Sequence, residues 1–255
     1  MNKCMIRFTL SALLSHHALA GSMGNTVKSF SGFWVGAGGS YLSSQLNGQT
    51  TVQTQPPISA PGTYILSNGH ETHFAPVANI GYLHGFENNW LLGLRAQYKY
   101  IDMDQFDISW SGTLQNGAYE TGGIHSKLQD DWLFLIDVGY SFENWFIYSG
   151  IGPSLFNVSA QLNGDTLPAG TFNFFPVNLR NSKSLWGGGG HVGLAYMFPQ
   201  QLTVDLSYNF SISQAQNLST LIFPSGAPNY FSGFLQNLQA VEQGVNITIN
   251  KYINL

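Results

Sequence analysis

The chain has 255 residues, of which 44% are hydrophobic, 14% aromatic and only 9% charged, with 29 glycines and a single cysteine. Soluble domains usually carry ~25% charged residues, and a formal net charge of −4 offers no basic stripe for nucleic acid. No stretch reaches the ~20 consecutive apolar residues of a membrane helix, so a helical membrane protein is excluded.

The chain opens with MNKCMIRFTLSALLSHHALA, which has the three parts of a secretory signal. Lys3 and Arg7 make a positive start, Phe8 to Leu14 a short apolar run, and Ala18-Leu19-Ala20 a small-x-small cleavage site. Residues 1–20 are therefore expected to be a cleaved signal peptide and residues 21–255 the mature domain. Cleavage removes Cys4 and leaves seven basic residues against thirteen acidic ones, a net charge of −6. An exported chain without cysteine has no disulfide and no thiolate metal ligand, so it needs a large core or a closed sheet.

Beyond the signal, alternating runs predict eight strands, at 30–43, 73–84, 90–102, 129–140, 145–158, 184–197, 202–213 and 242–255. The clearest is WLLGLRAQYKYI, Trp90 to Ile101. Leu92, Leu94, Ala96, Tyr98 and Tyr100 fall on one parity, and Gly93, Arg95, Gln97 and Lys99 on the other. Three related elements punctuate the runs: GYLHGFENNW, GYSFENW and the looser AYMFPQQL. Their phenylalanines, Phe86, Phe142 and Phe198, are 56 residues apart each time. Each reads as a short turn, with Asn, Gly and Pro supplying its backbone conformations. The other four connections, each about 25 to 30 residues and rich in Ser, Asn, Gly and Pro, read as long irregular loops at the opposite end. An even strand count with short turns at one end and long loops at the other is the pattern of a transmembrane barrel.

Two features turn the apolar parity outward. Tyr82, Trp90, Tyr140, Trp145 and Tyr196 lie near the short turns, and Tyr41, Phe74, Tyr100, Trp132, Trp186 and Phe210 near the long loops. Such girdles mark the two levels of lipid headgroups, and a soluble barrel has no reason to grade aromatics by height. The other parity mixes glycine with a few opposite charges, which suits the interior of an eight-strand barrel filled by its own side chains. Arg95 and Lys99 are accordingly expected inside, meeting Asp137 and Asp205, since a lone buried charge costs several kcal/mol.

The sequence resembles the small OmpA-like, opacity-protein-like eight-stranded barrels of Gram-negative outer membranes. FSGFWVGAGGSYL stands as first strand, the GY…FENW turns and the GIG of Gly150 to Gly152 follow, and QGVNITINKYINL closes the chain. The resemblance implies an all-β up-and-down barrel with short periplasmic turns and four long extracellular loops. It implies outer-membrane lipid, lipopolysaccharide and the barrel-assembly machinery as partners, and a host or neighbouring cell as a further one. Two departures stand out: Leu255 stands where the family's terminal aromatic is expected, with Lys251 interrupting the row of Ile247, Ile249 and Ile253, and wall anchoring through a peptidoglycan-binding domain is not expected to carry over.

Residues suited to chemistry are sparse. GGGGH, Gly187 to His191, is followed by neither Lys-Ser/Thr nor a helix, so it reads as close backbone packing and not as a phosphate cradle. Asp102 and Asp104 at the loop end of the third strand, with His125, Asp130 and Asp131 near the start of the fourth, form the rim arrangement that an outer-membrane enzyme could use. The second loop also gathers Asp107, Glu120, Asp130 and Asp131 against Lys127, a set a divalent cation could share with lipopolysaccharide. The histidines lack metal-site spacing, and no cofactor is expected. Apolar loop segments are more telling: Phe172, Phe174 and Phe175, then Phe223, Tyr230, Phe231 and Phe234, form a candidate contact surface. The expectation is a non-enzymatic surface protein, adhesin-like through its loops. A narrow channel or hydrophobic-ligand barrel and a rim enzyme are the alternatives.

Overall fold

The computed structural model describes residues 31–55, 63–65, 69–113, 119–167, 177–222 and 231–253. The proposed signal peptide and most of the aromatic loop segments lie outside these residues. Ten strands form one antiparallel sheet: β1 (Gly32–Gln55), β2 (Thr63–Ile65), β3 (Gly69–Gly85), β4 (Trp90–Thr113), β5 (Tyr119–Phe142), β6 (Trp145–Leu167), β7 (Val177–Met197), β8 (Leu202–Ser213), β9 (Gln216–Ile222) and β10 (Phe231–Ile253). Eight carry the barrel wall, in the order β1-β3-β4-β5-β6-β7-β8-β10, and the β1–β10 pairing closes it. The two short strands, β2 and β9, add to β1 and β10 on the loop side.

The register fixes the shape. Hydrogen-bonded partners followed once around, from Gly32 through Leu83, Gly93, Asp137, Gly150, His191, Asn209 and Gly244, lead back to β1 at Leu42, ten residues above the start. That shift over eight strands, at ~3.3 Å per residue and ~4.8 Å between strands, tilts each strand by roughly 40° from the axis. All-round pairing leaves no open edge within the lower barrel, as a bilayer demands.

The three short turns fall where the repeated phenylalanines put them, but glycine does not supply their left-handed backbone. Asn89, Glu143, Gln200 and Gln201 take φ between 56° and 71° instead. In the first turn Phe86 N–H donates to the Trp90 carbonyl at 2.8 Å, and Asn89 N–H to the Phe86 carbonyl at 3.1 Å.

Alternation sets the faces as expected. β8 alternates exposed and buried along its whole length, with Leu206 outside and Asp205 and Ser207 inside. Leu94, Phe134, Ile136 and Ile247 project outward, while Arg95 and Lys99 are buried. Rings of adjacent strands meet at both girdles: Trp90 with Tyr140 at 5.8 Å and Trp145 with Tyr196 at 4.7 Å below, Tyr98 with Trp132 at 4.7 Å above.

One expectation is overturned. The four long connections are not irregular loops; most of their length is strand. β1 runs on to Gln55, β4 to Thr113 and β6 to Leu167, and β5 and β10 start at Tyr119 and Phe231. These extensions escaped the period-two reading because the solvent changes at the outer girdle, and the faces exchange roles. Above it Leu42, Leu46, Phe156, Val158 and Leu238 point inward, while Gln45, Asn157, Asn237 and Gln239 lie outside that core. Among the described residues the β3–β4 ladder ends at Val77 and Lys99 and the β7–β8 ladder at Gly187 and Ser213, so what stands on the membrane-type barrel is an apolar-cored extension divided into two sheets, not a second closed barrel.

Candidate functional site

The lumen is layered. Nearest the short turns an apolar cluster of Trp34, Leu83, Leu91, Phe146, Tyr148, Ala195, Met197 and Tyr252 fills the barrel. At the loop side the larger cluster of Leu42, Leu46, Ile101, Met103, Leu128, Phe156 and neighbours fills it again. Between them lie two ionic tiers.

The lower tier centres on Arg95, carried inward by β4. Its Nε donates to Asp137 at 3.0 Å and its Nη1 to Asp205 at 3.4 Å. The Tyr148 hydroxyl donates to Asp205 at 2.5 Å, and His191 Nε2 lies 2.7 Å from Asp137. The guanidinium also sits over the Trp34 ring at 4.9 Å and over that of Tyr148 at 4.5 Å, two cation–π contacts in a desolvated place. Glycines make the room: a Cβ on Gly150 would fall 2.1 Å from an Asp137 oxygen, and one on Gly193 2.4 Å from the Tyr148 ring. The remaining space beside Arg95, bounded by Trp34, Tyr82, Asp137, Tyr148, Asp205 and Tyr252, amounts to about 10 Å³, room for about one water.

The upper tier centres on Lys99, which is fully buried. Its ammonium pairs with Glu242 and, at 3.4 Å, with Asp131, which also accepts from the Ser211 hydroxyl at 3.4 Å. Sequence reasoning assigned Arg95 to Asp137 and Asp205, and the structure brings those three together. It places Lys99 elsewhere, with Asp131 and Glu242, because four residues along β4 carry it ~13 Å up the strand. Asp131 thereby leaves the acidic loop-side group in which the sequence put it. Glu242 was missed, although it shares a parity with Asn246 and Asn250 opposite Val245, Ile247 and Ile249, the signal that would have found it. Tyr148 and His191 complete the lower tier; nothing in a period-two pattern marks Tyr148, since it shares its inward parity with Phe146.

At the rim, Lys127 donates to Asp102 at 2.6 Å and holds that carboxyl below the usual carboxylate range. Asp130 accepts from the Asn157 amide at 2.6 Å. The acidic group is thus divided among separate partners, and no group of three or more metal-ligating side chains occurs among the described residues. His125 is exposed, and the side chains of Asp104, Asp107 and Glu120 lie outside the described residues. Of the aromatic contact candidates, Phe172, Phe174, Phe175, Phe223 and Tyr230 lie outside them altogether, and Phe231 and Phe234 are described only as backbone within β10.

A closed barrel with lipid-facing apolar residues, two aromatic girdles and an ion-paired interior defines a β-barrel protein of the outer-membrane type. Residues 8–225 match the family described as outer membrane protein beta-barrel domain, and the chain belongs to that family. It is 23% identical over 274 residues to outer membrane protein P1 of Coxiella burnetii, covering 99% of this chain and 98% of that protein. Among solved structures, it is similar to OprG of Pseudomonas aeruginosa at 9% identity and a TM-score of 0.44, covering 87% of this chain and 97% of that one. It is also similar to Ail, the attachment invasion locus protein of Yersinia pestis, at 12% identity and a TM-score of 0.34, covering 81% and 98% of the two chains.

Proposed function

We propose that this outer-membrane barrel is non-enzymatic and works by surface contact, holding its loop tips away from the membrane on a rigid β-stalk. The observation that carries the reading is the exchange of faces at the outer girdle. β1 continues fourteen residues from Tyr41 to Gln55, which at ~3.3 Å per residue and roughly 40° of tilt is about 35 Å of wall beyond the headgroups. In the part of that wall nearest the girdle an apolar core around Leu42, Leu46, Phe156 and Leu238 stiffens it, and Gln45, Asn157 and Asn237 outside that core suit it to water. Both ends of the lumen are filled by apolar clusters, which speaks against transport through the barrel. Of the rim residues suited to acid–base chemistry, Asp102 is engaged by Lys127.

The test is adhesion of cells displaying the chain to epithelial monolayers and to immobilised matrix proteins. A variant in which residues 168–176 and 223–230 are replaced by short Gly-Ser turns should reach the surface equally and lose adhesion. Planar-bilayer recording of the purified barrel should show no conductance steps. Equal adhesion by the variant, or steady ion conductance, would overturn the reading.

A further inference from the structure

One residue of the closing strand breaks the rule of the lipid face. Among the described outward positions of the membrane-crossing wall, Lys251 is the one lysine, arginine or carboxylate. It stands between Ile249 and Ile253 in the outward row of β10, and between Val35 and Leu202 across the sheet. Ile249 pairs with Val204, which pairs in turn with Tyr196 of the lower girdle, so Lys251 lies on the turn side of that girdle. A lysine near the interface is only mildly unfavourable, but the lipid gives no reason for it.

The third short turn, next to Lys251, is also the odd one of its kind. It has the length of the first: Phe86 N–H donates to the Trp90 carbonyl and Phe198 N–H to the Leu202 carbonyl, both at 2.8 Å. In the first turn Asn89 alone is left-handed, whereas in the third both Gln200 and Gln201 are, at φ of 71° and 62°. Two such residues in succession are unfavourable without glycine and persist only when their surroundings hold them. In the first two turns the ladder to the following strand runs on into the turn. Ser141 N–H donates to the Asn89 carbonyl at 2.9 Å, and Met197 N–H to that of Asn144 at 2.8 Å. The equivalent bond in the third, from Tyr252 N–H to the Gln201 carbonyl, is absent among the described residues, and the β8–β10 ladder ends at Leu202 and Lys251. The Lys251 ammonium donates to the Gln200 carbonyl instead.

We propose that Lys251 and the third turn form a closing latch, in which the lysine side chain replaces the backbone bond that the other two turns make to the next strand. The bond is charge-assisted, and it holds β10 to the hairpin before it at the place where β10 must also meet β1. Its use is to fix register. A one-residue slip of β10 would turn the isoleucines into the lumen and is excluded by the faces alone. A two-residue slip keeps the faces and brings Ile249 or Ile253 beside Leu202 in place of Lys251, so only the native register offers Gln200 a donor. Two departures from the repeat, the Pro-Gln-Gln turn and the lysine in the isoleucine row, thereby compensate each other.

The experiment refolds the full mature chain into phosphatidylcholine vesicles, with and without added phosphatidylglycerol, and reads the urea midpoint from the heat-modifiable gel band. Lys251→Ile, which completes the isoleucine row, should lower the midpoint by about 0.5 M in both lipids. The loss should vanish when the third turn is given the residues of the first by Pro199→Glu, Gln200→Asn and Gln201→Asn, since the backbone bond to Tyr252 then forms. An unchanged or raised midpoint for Lys251→Ile beside the native turn would overturn the proposal, as would an equal loss beside the exchanged turn. A loss confined to the anionic vesicles would overturn it too and assign the lysine to lipid phosphates.

Discussion

Replacing Arg95 by methionine removes the one cation shared by Asp137 and Asp205 while keeping an unbranched side chain in the lumen. The guanidinium lies 3.0 Å from the first carboxylate and 3.4 Å from the second. At an effective dielectric of ~20, each attraction is worth ~5 kcal/mol, from which the cost of desolvating the guanidinium must be subtracted. His191 still reaches Asp137 and Tyr148 still donates to Asp205, so each carboxylate keeps one hydrogen bond without a counter-charge. Breaking a buried ion group by removing one partner costs ~3–5 kcal/mol, and that is the loss expected for R95M. At a urea slope of ~2 kcal/mol per molar, the midpoint falls by ~1.5–2.5 M. The assay is urea unfolding of the barrel in lipid vesicles, read from the heat-modifiable gel band. The triple variant R95M/D137N/D205N, in which no unpaired charge remains, should recover most of the loss. An unchanged midpoint in R95M, or a triple variant weaker than the single, would refute the reasoning.

The other perturbations follow from the same geometry. Lys99→Met should cost a similar ~3–5 kcal/mol by exposing Asp131 and Glu242 to each other. The two tiers lie four residues apart on β4, so R95M and K99M should be additive to within ~0.5 kcal/mol by the same assay. Ile136 sits on the lipid face of β5 midway between the girdle residues Trp132 and Tyr140, and I136R should destabilise the barrel in vesicles by ~2–4 kcal/mol. Gly150→Ala drives a methyl group into the Asp137–His191 contact, closest to the Asp137 carboxylate, and should cost ~1–3 kcal/mol by the same unfolding measurement. Phe156→Ala opens the apolar core just above the outer girdle and should cost ~3–5 kcal/mol by the same unfolding measurement.

The membrane-crossing part of the fold was legible because lipid enforces a strict alternation. Leu92, Leu94 and Tyr100 against Arg95 and Lys99 suffice to define a strand, its faces and its solvent. The repeated GY…FENW element located the turns, and the girdle residues located the headgroups. What escaped was the strand above the girdles. Along β6 the inward row there is Phe156, Val158 and Ala160, and Asn157, Ser159 and Gln161 lie between them. Below, the same parity is inward but holds Phe146, Tyr148, Gly150 and Gly152, so the pattern breaks where the environment changes. A Ser/Asn/Gly-rich stretch then passes for loop. Half of the ion network was legible on similar terms: Arg95, Asp137 and Asp205 lie on the polar parity of well-marked strands. Pairing partners across the lumen depend on tilt and shear, which no single strand encodes, and so Lys99 was matched to the wrong carboxylates.

The layering of the lumen follows from what each solvent can contribute. Opposite lipid, burying an outward leucine yields no hydrophobic gain from association, so closure of the lower barrel rests on its ladder of backbone hydrogen bonds and on polar pairing within. That is where both ionic tiers sit. Above the outer girdle water bathes the wall, apolar burial becomes favourable, and the interior changes at once to Leu42, Leu46, Phe156 and Leu238. The two regimes meet at Lys99, whose ammonium lies under the upper core with no exposed surface. A charge in that position has no route to water through either the apolar core above or the bilayer outside, so its partners must be built into the wall. Asp131 on β5 and Glu242 on β10 meet that need from two different strands, and in doing so tie the barrel across its lumen at the level where its source of stability changes.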